Sequence, residues 1–377
     1  MGIGLYLHIP FCWKKCHYCD FLSFPLSSRE TLHHYVQYLK KEIKLWTLTA
    51  AEKNIETLYF GGGTPSLLTP KLLGEILATI SQHFPLEENF EFTVEANPGT
   101  LSYDFLKEYI NEGVNRISLG VQSFDEPMLK RMGRTHSVRE VEESVVLARR
   151  AGIKNIGFDL IYGLPEQSLS QWENTLKIAV ELAPEHLSVY GLSLENSSHW
   201  ALKRKRGELF LPDQDALADM YFLSREILLS HGYEHYEISN FAKPGFRCWH
   251  NLKYWKLEPY IGMGLGASSY INNRRIKNAS KMEDYTGSLD GGKLPFETVE
   301  KLSLKEEMSE FMFLGLRTAE GVNTRDFFEK FGTHVQQVYG KEVEFLLRHG
   351  ILWEKNGRLI LNPRYYPVAN EVFLRFI

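Results

Sequence analysis

The sequence predicts an α/β protein built on a parallel sheet, followed by a smaller α+β unit. Three observations carry this. Between residues 4 and 190, short apolar runs alternate with amphipathic stretches of helical spacing. The runs are often β-branched, as strands buried on both faces are. Beyond about residue 300 the pattern becomes helical segments followed by a hairpin, with no further strand–helix alternation.

The strand-like runs are Gly4–His8, Thr57–Phe60, Glu91–Glu95, Arg116–Gly120, Asn155–Leu160 and His186–Tyr190. Among the helices between them, Val138–Ala151 places Val138, Val141, Val145 and Ala148 on one face, and Gly152 stands where a left-handed cap is expected. Ser170–Ala183 repeats the pattern with Trp172, Leu176, Ala179 and Val180, and Ser170 with Glu173 predicts a capping box. Strand–helix–strand repetition implies right-handed parallel crossovers. Six such strands are too few for a closed eight-fold barrel, so an open six-fold barrel and a doubly wound sheet both fit.

An amphipathic helix, Asp213–Leu229, then leads to an alternating strand, Tyr233–Ile238. Gly262–Ala267 has the spacing of a dinucleotide fingerprint, but no helix follows it. Ser268-Ser269-Tyr270 runs instead into the turn-like Asn272–Arg275, so a tight glycine turn closing the barrel is expected. The glycines of Thr286–Lys293 predict a linker. Helices are expected over Leu304–Leu316, Thr324–Phe331 and Thr333–Arg348. Ile351–Trp353 and Leu359–Leu361 flank Asn356-Gly357, a hairpin signal. The expected organisation is a barrel over 1–232, a connecting segment over 233–295 and a winged-helix-like domain over 296–377.

Composition bounds the function. Lys plus Arg number 43 against Asp plus Glu 47, giving a net charge of −4, so no general nucleic-acid affinity is expected. The opening Met1-Gly2-Ile3 shows neither a signal peptide nor a membrane span. Four cysteines in 377 residues point to a reducing compartment, and a cytoplasmic location is expected. The basic run Lys203–Arg206 reads as a solvated helix end.

Three of the four cysteines lie in one loop just after the first strand, as Cys12-x3-Cys16-x2-Cys19, and Cys248 is far away in sequence. Thiols this close cannot all pair with one another, and a metal centre is the natural alternative. Zinc would need a fourth donor, such as His8 or His17. An iron–sulfur cluster held by three thiolates keeps one iron open to an outside ligand. In either architecture functional groups gather at the carboxyl ends of parallel strands. After the second strand comes Gly61-Gly62-Gly63-Thr64-Pro65, whose glycines let backbone amides approach a ligand. The third ends at Glu95-Ala96-Asn97, the fourth at Gln122-Ser123 and the fifth at Asp159–Pro165.

The cysteine spacing, with Tyr18 just before the last cysteine, resembles the radical S-adenosylmethionine (SAM) superfamily. The resemblance implies an open six-fold (β/α) partial TIM barrel, with a [4Fe-4S] cluster held by Cys12, Cys16 and Cys19. It also implies that SAM binds the open iron and is cleaved by a cluster electron to a 5'-deoxyadenosyl radical. An electron donor such as a flavodoxin or ferredoxin is implied as a partner. More narrowly, the chain resembles the oxygen-independent coproporphyrinogen III oxidase family. There, residues at the positions of Tyr6, Gly62, Gly63, Thr64, Glu95, Gln122, Arg134 and Asp159 contact SAM.

Around His250 the residues alone favour packing for Trp249, Tyr254 and Trp255. However, His250-Asn251-x-x-Tyr254-Trp255 resembles the HNxxYW motif of the haem chaperone branch, which implies His250 as an axial haem ligand. Two further features separate the branches. The oxidase carries a fourth cysteine where this chain has Phe21, and a long N-terminal extension where only a few residues precede the first strand here. The expected function is therefore binding of a [4Fe-4S] cluster, SAM and haem, with haem delivered to acceptor haemoproteins at the inner face of a membrane. Oxidative decarboxylation of coproporphyrinogen III is the alternative.

Overall fold

A computed structural model describes residues 2–50, 54–195 and 198–377. Its centre is one twelve-stranded sheet. In chain order the strands are β1 Ile3–Ile9, β2 Ile55–Gly62, β3 Leu86–Ala96, β4 Arg116–Gln122, β5 Asn155–Tyr162, β6 His186–Gly191, β7 Glu234–Glu237, β8 Asn240–Ala242, β9 Tyr260–Met263, β10 Ser268–Ile271, β11 Arg274–Asn278 and β12 Phe296–Lys301. Strands β1 to β6 pair in sequence order, all parallel. This is the open six-fold (β/α) barrel of the radical SAM type, with the sheet continued at both edges.

The helices are α1 Arg29–Ala50, α2 Pro70–His83, α3 Tyr103–Asn111, α4 Glu126–Met132, α5 Val138–Ala151, α6 Leu169–Glu181, α7 His199–Lys205, α8 Gln214–Ser230, α9 Trp249–Trp255, α10 Met282–Asp290, α11 Leu304–Gly315, α12 Thr324–Phe331 and α13 Val335–Arg348. Helix α5 has the expected boundaries, with a Ser137–Glu140 capping box and Gly152 left-handed at its end. Helix α6 starts earlier than expected. Its capping box is Ser168–Gln171, because Ser168 Oγ accepts from the Gln171 N–H while Gln171 Oε1 accepts from the Ser168 N–H.

The region expected to connect two domains is mostly sheet. β7 and β8 extend the sheet beyond β6 with antiparallel pairing. β9 pairs parallel with β1, with Tyr6 opposite Gly262, so it is a seventh parallel strand where a glycine turn was expected. The turn itself is Gly264–Ala267. It is fastened to α1 by Glu42, which accepts from Gly264 N at 2.8 Å, and by Tyr35 Oη, which accepts from Leu265 N at 3.0 Å. Asn272 and Asn273 both take positive φ and turn β10 back into β11.

The expected linker at Thr286–Lys293 is largely α10. Its Tyr285 and Leu289 are buried in the main core and hold it there, and the glycines after Asp290 end it. Beyond β12, β13 Val322–Asn323, β14 Leu352–Lys355 and β15 Arg358–Leu361 form a three-stranded sheet with α11 to α13 around a separate core. The hairpin turn is at Asn356-Gly357, both with positive φ, as the dipeptide demands.

The strands that build the barrel are apolar on one face only. In β4, Ile117, Leu119 and Val121 join the core, whereas Arg116, Ser118, Gly120 and Gln122 face an interior cavity. In β5 and β6, Phe158, Leu160, Leu187 and Val189 are core, and Asp159, Ile161, Ser188 and Tyr190 face the cavity. The period-two alternation of a strand sorts the chain into a packed outer layer and a largely polar lumen.

Candidate functional site

The lumen opens at the carboxyl ends of the parallel strands into a cavity of about 400 Å³. Cys12, Cys16, Cys19 and Tyr18 lie on its rim, and Gly62, Gly63, Thr64, Glu95, Gln122, Arg134 and Asp159 line its wall. Eleven of the thirteen expected site residues are thereby brought together across the ends of five strands.

The cysteine loop is held from three sides. Phe11–Cys12 bridges Phe24–Pro25 as a two-stranded clasp at its stem. His17 N donates to Met132 O at 2.9 Å, tying the loop to α4, and Trp200 N donates to His17 O at 2.9 Å, tying it to α7. The three thiols are unpaired and partly exposed. Burial pushes Cys12 up, partly offset by the Thr64 and Ser23 hydroxyls, and burial pushes Cys19 up to about 11. Burial outweighs the nearby Arg134 and Lys15, so both are neutral at physiological pH, and a bound metal centre is what would deprotonate them.

Among the described residues, no three His, Cys, Asp or Glu side chains converge as a single-ion site requires. The donors suggested for a zinc tetrahedron are engaged elsewhere. His8 uses Nδ1 toward Tyr6 Oη at 3.0 Å and Nε2 toward Leu22 O at 2.8 Å, and His17 Nδ1 lies 3.0 Å from Arg131 O. Three spaced thiols on one cavity rim fit a cluster bound through one thiolate per iron.

The wall of the cavity is preorganised. Arg134 donates from Nη2 to Asn97 Oδ1 at 2.7 Å and to Gly120 O at 2.6 Å, and its Nη1 lies 3.5 Å from Cys16 Sγ. Glu95 accepts from Tyr59 Oη at 2.8 Å and from Gly62 N at 3.1 Å. Burial, and then the neighbouring Asp159, push Glu95 up to about 7. Asp159 is also raised by burial, although Ser188, Arg116 and Ser118 favour its ionised form. Gln122 holds a positive φ of 69° where β4 breaks register with β5. Such a conformation is uncommon for a non-glycine residue.

Tyr6 and His250 lie outside the cavity wall. Tyr6 sits beneath Gly61, where a Cβ would stand 2.8 Å from its ring. His250 is 1% exposed. Its Nδ1 lies 2.7 Å from Thr57 Oγ1 and its Nε2 lies 2.8 Å from Tyr254 Oη, and its ring stacks on Tyr59 at 5.1 Å. Both ring nitrogens are engaged here and the imidazole packs at the amino end of the barrel; the expected role of His250 as an axial haem ligand is a proposal, and it requires one of these contacts to give way. Cys248 is fully buried beside Glu91, which also accepts the Trp249 and His250 N–H groups at the start of α9.

Sequence reasoning passed over Tyr59, Arg116, Ser118, Ser188 and Tyr190, all of which line the cavity. The signal was present as polar residues at every second position of otherwise apolar strands.

Fold and site together define a barrel of the radical SAM class, and residues 6–179 match the Radical SAM superfamily. Residues 302–364 match the HemN C-terminal domain. A full-length relative, heme chaperone HemW of Lactococcus lactis, is 39% identical over 99% of this chain and 96% of its own length. Heme chaperone HemW of Bacillus subtilis is 35% identical over 99% and 98%, and that of Escherichia coli 36% over 96% of each chain. The chain belongs to the heme chaperone HemW family. Its fold is also that of coproporphyrinogen III oxidase (HemN) from Escherichia coli, with TM-score 0.87 over 100% of this chain and 90% of that one, at 21% identity.

Proposed function

We propose that the protein is a haem chaperone that holds a [4Fe-4S] cluster and SAM in the barrel and delivers haem to acceptor haemoproteins. The observation that carries the cluster and SAM is the placement of Cys12, Cys16 and Cys19 on the rim of the same cavity that Gly62–Thr64, Glu95, Gln122, Arg134 and Asp159 line. The haem rests on the full-length relatives that bear the heme chaperone name. When bound, the cluster would supply a one-electron reductant beside SAM, and an electron donor such as a flavodoxin or ferredoxin would recharge it.

The chain's own residues do the positioning. Arg134, already anchored to Asn97 and Gly120, offers a guanidinium for the SAM carboxylate. Backbone groups at Gly62 and Gly63 approach the methionyl end, while Glu95 and Asp159 offer acceptors to ribose hydroxyls. The oxidase alternative is disfavoured at Phe21, which is 61% exposed where that enzyme carries a further cysteine. Among the described residues no helix is long and apolar enough to cross a membrane. Contact with acceptors at the inner face of a membrane would therefore be peripheral.

The test is anaerobic reconstitution followed by haem titration and transfer to an apo-haemoprotein. Cys12→Ser, Cys16→Ser and Cys19→Ser should each lose the cluster's visible absorption and EPR signal, and Cys248→Ser should keep both. Conversion of coproporphyrinogen III to protoporphyrinogen IX by the reduced protein with SAM would overturn the chaperone reading.

A further inference from the structure

The upper cavity described above lies at the carboxyl ends of the strands, and a lower cleft of about 440 Å³ lies between the last turn of α9 and the C-terminal domain. Arg116, the first residue of β4, is 1% exposed and forms part of the floor of the upper cavity. A guanidinium taken out of water is costly unless carboxylates or several acceptors meet it. Among the described residues no carboxylate stands within 4.0 Å of it. Its one side-chain hydrogen bond is long, from Nη1 to Thr93 Oγ1 at 3.5 Å, and its Nε has no acceptor. The charge is therefore balanced at longer range.

Strand register shows by what. Thr93 on β3 lies opposite Arg116, and Glu95 is the next residue of β3 on the same face. On β5 the other end of the fork lies over Gly157, where a Cβ would stand 2.9 Å from Nη2, and Asp159 is the next residue on that face. Gly157 does not hold a positive φ, so its missing side chain makes room for the guanidinium rather than for a turn. The two ends of the fork thus rest one inward position below Glu95 and one below Asp159, about 7 Å along each strand.

The neighbouring groups leave this cation its role. Below it, Glu91 is committed to Cys248 and to the first N–H groups of α9. Burial raises Tyr6, Tyr59, Tyr190, Tyr236 and Tyr254, pushes Cys248 up to about 12, and lowers His186 and His250, so all of these are neutral. Burial and then Asp159 raise Glu95, and Arg116 is the cation that works against them; Arg116 and the rim residue Arg134 both favour ionised Asp159. Two carboxylates in one buried wall repel each other, and one takes up a proton unless a cation is shared between them. Because Arg116 stands beyond hydrogen-bond reach of either, it uses up none of their acceptor sites.

We propose that Arg116 is a positioning residue of the SAM wall, holding Glu95 and Asp159 from the cavity floor as a charged pair open to the ligand. The role rests on the SAM-binding reading above. Removing the cation makes both carboxylates easier to protonate, so SAM affinity should be lost at a higher pH on acidification.

The experiment measures SAM affinity of the reconstituted protein by equilibrium dialysis from about pH 6 to 9 in wild type, Arg116→Gln, Arg116→Lys and Gly157→Ala. The amino group of SAM titrates alike in all four, so the variants are compared by the pH at which affinity is half lost. Arg116→Gln should raise that midpoint by about one unit, a loss of about fivefold in affinity at pH 7, with circular dichroism and iron content unchanged. Arg116→Lys keeps a cation and should recover at least half of the shift. Gly157→Ala keeps the arginine but displaces its fork, and should raise the midpoint by a smaller step. An Arg116→Gln midpoint equal to wild type, or a lysine variant that behaves like the glutamine one, would overturn the role while the SAM site stands. Should Arg116→Gln fail to fold, an unmoved midpoint in Gly157→Ala overturns it equally. A wild type that binds no SAM with its cluster in place would overturn the underlying reading instead.

Discussion

Replacing His250 tests whether this imidazole supports the barrel or ligates iron. His250→Ala removes a buried ring that spans Thr57 Oγ1 at 2.7 Å and Tyr254 Oη at 2.8 Å and stacks on Tyr59. Leaving two largely buried hydroxyls unsatisfied costs about 1–3 kcal/mol each. The lost stacking adds about 0.5–1.5 kcal/mol. Allowing for partial relaxation, the expected loss is about 3–5 kcal/mol in urea unfolding of the apo-protein. His250→Phe keeps a ring in place and should lose about 2–3 kcal/mol, mainly the hydrogen bonds. Burial, then Lys253 and Arg116, push His250 down to about 3 from its ordinary 6.5, so it stays neutral in the folded chain. Below pH 6.5 the unfolded chain binds a proton there that the folded chain refuses. The contribution of His250 to stability therefore shrinks as pH falls from about 6.5 toward 3, and His250→Phe should lose that part of the slope. In the folded fraction the haem band should keep its wavelength and affinity. A His250→Ala protein as stable as wild type but with a shifted or missing Soret band would refute this reasoning and restore the histidine as ligand.

Two further outcomes follow from the upper cavity. Glu95, held near pH 7, must be ionised to favour a ligand that carries a cationic sulfonium. Apparent SAM affinity should therefore fall as pH is lowered through about 7, by at most about tenfold per unit, and Glu95→Gln should flatten that slope in equilibrium dialysis; a slope that survives the substitution would assign the proton elsewhere. Gly63→Ala places a Cβ 2.5 Å from the Phe11 carbonyl at the stem of the cysteine loop and should reduce the iron retained on reconstitution, whereas Gly287→Ala, with nothing within 4 Å, should leave it unchanged.

The cluster residues were legible because their chemistry is local: three thiols in one loop declare themselves by spacing alone. The strand-end residues were legible because parallel strands bring their carboxyl ends to one side whatever the closure of the sheet. Strand β9 was missed because Tyr260–Met263 is short and runs into glycines that look like a turn. Its strand character comes from pairing with β1, and a Cβ at Gly262 would collide with the Ser268 carbonyl. The polar lumen was missed because each strand was read as apolar on both faces, although Ser118, Gly120 and Gln122 mark one face plainly. The packing of His250 was not legible for a different reason. Its partners Thr57 and Tyr59 lie more than 190 residues away in sequence, and no local pattern shows that both nitrogens are occupied.

These contacts give the HNxxYW motif two sides. Glu91 accepts the first N–H groups of α9 and fixes that helix across the amino end of the barrel. From there His250 stacks on Tyr59, Tyr59 donates to Glu95, and Glu95 accepts from Gly62 N, a continuous set of contacts reaching the upper cavity wall. Asn251 also lines that cavity, whereas Trp255, at the far end of the same helix, lines the lower cleft. One short helix thus braces the proposed SAM wall through its first turn and forms a wall of the lower cleft through its last. A substitution at His250 should disturb SAM binding through Tyr59 and Glu95, and one at Trp255, which faces the lower cleft, should leave SAM binding unchanged. Measuring SAM binding on both variants would separate the two halves of the motif, and identical defects in both would show that α9 acts only as a unit.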